Sequence, residues 1–182
     1  MEQTGVLRAD KNFIATDWFE NSYLWMAEQM KKRIGEPPES VIFPVWAWYQ
    51  WEGMRKRPDM RVHGRNWGEK GTPVVLLTIE VPDNLVLLSD FDNWSLILNN
   101  DFVTKCNNEK EWEEEQQWLD NLPEDERKAA IINSWQRIFN LEAVNNDIRI
   151  AGSYIQATFW QLKKEMIRKV EYFTLTKHYH IF

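Results

Sequence analysis

The sequence predicts an α+β fold: a single compact domain of small mixed or antiparallel sheets with segregated helices. Three observations lead there. Apolar residues at helical spacing and β-branched or aromatic runs take turns along the chain, with no repeating unit of solenoid or propeller length. The 182 residues, 43% hydrophobic and 27% charged, suffice for one sizeable core and are short for two ordinary domains. Eleven Trp, nine Phe and five Tyr let few residues build that core, because each ring buries roughly 150–250 Å². The domain is expected to span residues 1–182, with a basic Gly/Arg-rich loop at 53–73 and an acidic helical segment at 109–128.

The first element is a helix from about Trp18 to Ile34, where Phe19, Tyr23, Met26 and Met30 share one face. Asp17 with Glu20 forms a capping pair at its start, and Lys31, Lys32 and Arg33 before Gly35 suit its negative end. Pro37 and Pro38 stop it. The run VIFPVWAWYQW then reads as a strand with Val45, Ala47 and Tyr49 on one face and Trp46 and Trp48 on the other. Both faces are bulky, so both should be covered. Pro58, Gly64, Gly68, Gly71 and Pro73 deny the following stretch a long regular element, and a connection of that length in a compact domain is either functional or disordered.

VVLLTIEV is the clearest strand, and a Pro82-Asp83-Asn84 turn leads into LVLL, a second short strand or its extension. Ser89 or Asp90 caps a short helix through Trp94, Ile97 and Leu98. The acidic stretch reads as an exposed helix carrying Trp112 and Trp118, and Pro123 opens another whose apolar face is Ala130, Ile131, Trp135, Ile138 and Phe139. SYIQATFW alternates as a strand, with Tyr154, Gln156, Thr158 and Trp160 opposite Ile155, Ala157 and Phe159. From Leu162 to Phe173 a short helical turn precedes a closing strand.

No apolar run approaches the roughly 20 residues of a membrane-spanning helix, so no membrane partner is expected. The N-terminus shows no basic segment followed by an apolar one, and the single Cys106 forms no internal disulfide, so a reducing cytoplasm is the expected compartment. The formal charge is −6, and residues 109–128 alone carry nine acidic against three basic residues, again −6. From Gly53 to Gly71 six basic residues meet two acidic ones, a net +4 that suits either a phosphate-bearing ligand or a solvated surface loop. Duplex nucleic acid is disfavoured because the domain as a whole is acidic.

Metal-ligand spacing is missing: His63 is isolated, Cys106 has no nearby Cys or His, and His178 with His180 read as a terminal pair, so no metal is expected. Nucleophile-elbow, phosphate-loop and dinucleotide-binding glycine motifs are absent. Asp90 and Asp92 in SDFDNW stand two apart at a strand end, a spacing that serves a cation, acid–base work or a capped helix start.

AEQMKKRIG, PVWAWYQW, RKRPDMR, TIEVPDNLVLLSDFDNW, a late SW and IQATFWQL together resemble a bacterial domain family of unknown function, from Gly5 to Phe173. That resemblance implies a short strand with a TIQ-like segment ahead of the position of Gly5, and hence a shortened or differently started N-terminus here. The order of elements is similar to that of compact bacterial ADP-ribosyltransferases. This second resemblance implies an NAD-gripping cleft between two short sheets, with a basic or His residue on the first strand, an aromatic or hydroxyl residue on the second and a Glu on a late strand. Carried over by position, it places Arg8, Trp48 or Tyr49, and the IQATFWQL strand in these roles. The enzyme reading built on it has Arg8, Arg57 or Arg61 on phosphates, Trp48 or Tyr49 on a ring, Gln156 among the ligand-binding residues, and Gln161, Glu165 and Tyr49 as the catalytic ones, with Gln161 or Glu165 near the ribose. The late strand itself carries Gln156 and Gln161 in place of the Glu. The ligand expected on these grounds is a nucleotide, NAD foremost. The alternative is a protein-interaction module, an inhibitor or regulator, using exposed Trp and the acidic surface.

Overall fold

A computed structural model describes residues 5–10, 19–58 and 69–175. Asp17, Trp18, Arg61, His63, Arg65, His178 and His180 lie outside them.

Strand β1 (Val6–Leu7) precedes helix α1 (Glu20–Ile34), which buries Ser22, Met26, Ala27, Gln29 and Met30. The helix starts later than the capping pair predicts: Phe19 occupies the N-cap position and makes no side-chain cap bond. Gly35 ends it at φ 95°, a conformation glycine adopts without steric cost. Strand β2 (Val45–Gln50) follows, shorter than the aromatic run because Val41 and Phe43 bury themselves ahead of it.

Strand β3 (Pro73–Ile79) starts at the proline that had been assigned to the loop, and β4 (Leu87–Asp90) at the end of LVLL. Asp90 caps helix α2 (Phe91–Leu98), with its Oδ1 accepting from the Asn93 N–H at 2.8 Å. The acidic segment bends into two helices, α3 (Glu109–Asp120), capped by Asn108, and α4 (Glu124–Ser134), with Pro123 just ahead of its first turn. Glu124, Asp125 and Glu126 thereby fall in the first turn of α4, where the helix dipole favours anions. A 3-10 turn (Trp135–Phe139) completes the apolar face expected of α4.

The remaining strands are short: β5 (Val144–Asn145), β6 (Ile150–Ala151), β7 (Ile155–Phe159), β8 (Leu162–Lys163) and β9 (Ile167–Thr174). All pairings are antiparallel: β2-β7-β4 make the central sheet, and β1 with β8, β3 with β9 and β5 with β6 form two-stranded ribbons. The result is one compact α+β fold. Strand β7 is central and buries Ile155, Ala157, Thr158 and Phe159 on both faces, whereas β3 and β9 leave Val75, Val170 and Tyr172 to solvent.

The core gathers Met26 and Met30 of α1, Trp94 and Ile97 of α2, Val103, Trp135, Ile138, Trp160 and Leu87. Trp46 of β2 joins it edge-on to Tyr23 and 4.8 Å from Trp94, so that Trp25, Trp46, Trp94, Trp135 and Trp160, five of the nine described indoles, are structural. Trp160 donates its Nε1–H to the Gly35 carbonyl at 2.8 Å, tying the end of β7 to the end of α1. Among the described residues no helix is long and apolar enough to cross a membrane.

Candidate functional site

The chemistry of the fold converges on one end of the central sheet, where β2 and β4 finish and β7 begins. Register places Trp48, Gln156 and Ser89 side by side across the three strands. Residues directly opposite in antiparallel strands project from the same face, so these three form one row. Ser89 is fully buried and its Oγ has no hydrogen-bond partner in the protein; the same holds for the buried Oε1 of Gln156. Native proteins rarely leave buried polar atoms unsatisfied, because each costs about 1–3 kcal/mol.

Half-buried rings surround this row. Trp48 meets Trp51 at 4.7 Å and Phe91 at 5.0 Å, and Trp51 meets Tyr154 at 4.9 Å, all edge-on. Phe91, the first residue of α2, is 37% exposed and donates its N–H to the Tyr154 carbonyl at 2.9 Å. Tyr49 projects from the opposite face of β2, and the Arg55 guanidinium lies 3.7 Å over its ring. Arg55 stands there because Glu52 and Gly53, at φ 51° and 73°, turn the chain back through a Trp51–Met54 bridge.

A carboxylate pair closes the arrangement. Asp90 is fully buried, and its Oδ2 accepts the Gly152 N–H at 2.6 Å in addition to its capping bond. Burial raises its pKa against those two bonds and against the positive charge of Arg149. Asp92 has its Oδ2 buried without a partner, and burial together with the Asp90 charge pushes its pKa up to about 6. Arg149 likewise has a buried Nε without a partner. Gly152 is the hinge of this contact: at φ 74° it brings its backbone so close to Ala143 that a Cβ would sit 2.5 Å from the Ala143 Cα. Its carbonyl accepts from Gln50 Nε2 at 2.7 Å, so one glycine fastens β2 and β4 together.

The residues proposed from the sequence fall into separate groups. Trp48 and Gln156 meet in the row above, with Tyr49 on the reverse of the same strand. Arg57, three residues after the turn at Met54, pairs with Glu171 of β9 at 2.7 Å. Arg8 and Gln161 come together where β1 meets β8: Arg8 Nε donates to Gln161 Oε1 at 3.3 Å and its Nη1 to the Glu39 carbonyl at 3.5 Å. Gln156 lies inside β7, whereas Gln161 follows its end at Phe159, so the two glutamines belong to different neighbourhoods. Glu165 is exposed in the 3-10 turn Lys164–Met166. Arg61 lies outside the described residues.

Sequence reasoning passed over Phe91, Arg149, Gly152 and Tyr154, although a glycine shortly before the apolar run of β7 is a readable sign of close backbone approach. Of the three uses open to Asp90 and Asp92, the structure gives Asp90 the helix cap and leaves Asp92 poised near neutrality. Among the described residues no group of three or more His, Cys, Asp and Glu side chains is placed to hold a metal ion.

Compared with known proteins, the chain matches over residues 1–168 a family model described as Domain of unknown function (DUF3841). No curated protein and no solved structure matches it.

Proposed function

The chain belongs to this family, whose description assigns no activity, and from that premise we propose that it is a nucleotide-binding domain of ADP-ribosyltransferase type. The ligand, NAD foremost, binds at the end of the central sheet. One observation carries the reading: half-buried aromatic rings and the unpartnered buried atoms of Ser89, Asp92, Arg149 and Gln156 stand at that end, while a guanidinium without an ion pair among the described residues, that of Arg55, lies over Tyr49 on the reverse of the edge strand β2. A nucleotide needs those three things, a flat apolar surface for its bases, a cation for its phosphates and fixed hydrogen bonds for its ribose hydroxyls.

Phe91 and Trp48 offer ring surface to a base. Arg55, 3.7 Å over the Tyr49 ring on the reverse of the edge strand β2, meets phosphate oxygens that pass around that edge. The half-buried Gln156 offers its side-chain amide to a ribose hydroxyl, with Ser89 fully buried behind it. NAD supplies an ADP-ribose group activated by its bond to nicotinamide. Asp92 is half ionised near pH 6 and holds or releases a proton at its Oδ2 according to what approaches. The late strand has Gln where transferases of this type place Glu, so the carboxylate of the site is Asp92.

Calorimetry and thermal shift with NAD, ADP-ribose and ATP test the reading, with mass analysis for released nicotinamide. At about 100 times its dissociation constant a specific ligand stabilises the fold by about 2.7 kcal/mol, a rise of several degrees. Arg55→Ala and Gln156→Ala should each weaken that binding about tenfold, while Arg8→Ala should leave it unchanged. The absence of a shift with every nucleotide overturns the assignment.

A further inference from the structure

A groove runs between α3, α4 and the segment 102–106, apart from the sheet end and independent of the nucleotide reading. Trp118 stands in it as the shared wall of two cavities, about 400 Å³ and about 670 Å³. The smaller is mainly apolar, with Phe102, Leu122, Ala129 and Ala130 in its lining; the larger carries Glu111, Glu114 and Glu115 against one exposed cation, Lys105. Trp118 is 49% exposed even though its ring lies 6.3 Å from that of Phe102.

The floor of the groove is fixed. Glu115 accepts hydrogen bonds from Thr104 Oγ1, from Cys106 Sγ at 3.4 Å and from Arg137 Nη1 at 3.3 Å, and its side chain is only 10% exposed. Arg137 also donates to the Val103 carbonyl and lies 4.9 Å over the Phe102 ring. Arg137, the cation at the base of the groove, is therefore consumed internally, which leaves Lys105 as the one other cation of the lining against Glu111, Glu114 and Glu126. On the rim, Glu114 among the described residues meets Lys110 alone, at 3.9 Å and between two exposed side chains, and residues 109–128 have a net charge of −6. An exposed indole over an apolar pocket, rimmed by carboxylates that outnumber the cations beside them, is complementary to a cation-bearing segment with an apolar anchor.

We propose that this groove docks a basic segment of a partner protein, with an apolar side chain seated beside Phe102 and Trp118 and a Lys or Arg meeting Glu111 and Glu114. A positively charged segment is steered to the acidic face and held by the buried apolar contact, so its association rate falls with salt. Nucleic acid is repelled by the same field.

The test pans a random peptide library on the full chain and follows enriched peptides by fluorescence anisotropy. Enriched peptides should be basic with an apolar or aromatic residue, and Glu111→Gln/Glu114→Lys should weaken them at least about tenfold. Trp118→Ala should do the same at low and high salt alike, since it removes the anchor. If Trp118→Ala does not fold, the exposed double charge variant decides alone. No enrichment, enrichment without basic residues, or unchanged affinity in the folded variants overturns the proposal. So does a wild-type dimer that the charge variant dissociates, which would assign the groove to a second copy of this chain.

Discussion

Asp92 shows how much a single side chain can report. Its carboxyl is crowded by protein and by the neighbouring Asp90, so its proton leaves near pH 6 in the folded chain and near 3.8 in the unfolded one. The folded state therefore binds the extra proton between those values, and the stability contributed by this group falls as the pH rises from about 4 to 6. Asp92→Asn should make the protein more stable at pH 8 by about 1 kcal/mol, a figure reduced for solvent screening of a group only partly buried. The gain should vanish by pH 4; denaturant titrations at the two pH values measure it, and a pH-independent gain would remove Asp92 as the titrating group. SDFDNW disclosed a carboxylate pair at a strand end, yet not which member would be charged. That depends on Gly152 and Arg149, some 60 residues away, reaching the pair in space.

At the scale of elements, the ribbon β5–β6 matters most for the site despite its two-residue strands. It delivers Gly152 to Asp90 and Gln50, and Gly152 has neither room for a Cβ nor a φ that other residues adopt easily. Gly152→Ala should cost about 2–3 kcal/mol, from backbone strain and from loosening of the Asp90 contact, and a fall in the unfolding midpoint checks it. The ribbon was illegible because neither strand is long enough for alternation to register. The long elements were legible for the converse reason: α1 and β3 each offer several turns or alternations, and chemistry and periodicity agree along them. The acidic segment lies between these cases, since charge marked the exposed helices and only the packing of Leu119, which is 7% exposed, fixed where α3 stops.

Across the whole molecule one aromatic core joins both helical and sheet elements. Trp94 touches Tyr23 of α1 edge-on at 5.7 Å and Trp46 of β2 at 4.8 Å, so it locks three elements at once. Trp94→Ala should cost about 3–5 kcal/mol, with far- and near-ultraviolet dichroism transitions moving together because the core is shared. Two separated transitions would mean that the sheet and the helices unfold independently. The α+β class, the acidic face, the main helices and strands, and the wealth of aromatics follow from sequence alone, since local spacing and composition act within a few residues. Tertiary structure decided the rest. It settled which strands pair, that Arg8 joins Gln161 while Trp48 joins Gln156 and Ser89, that Glu115 consumes Arg137, and that Asp92 is held near neutrality. Those outcomes depend on contacts between residues far apart in the chain, and burial, which sets their energies, exists only once the chain has folded.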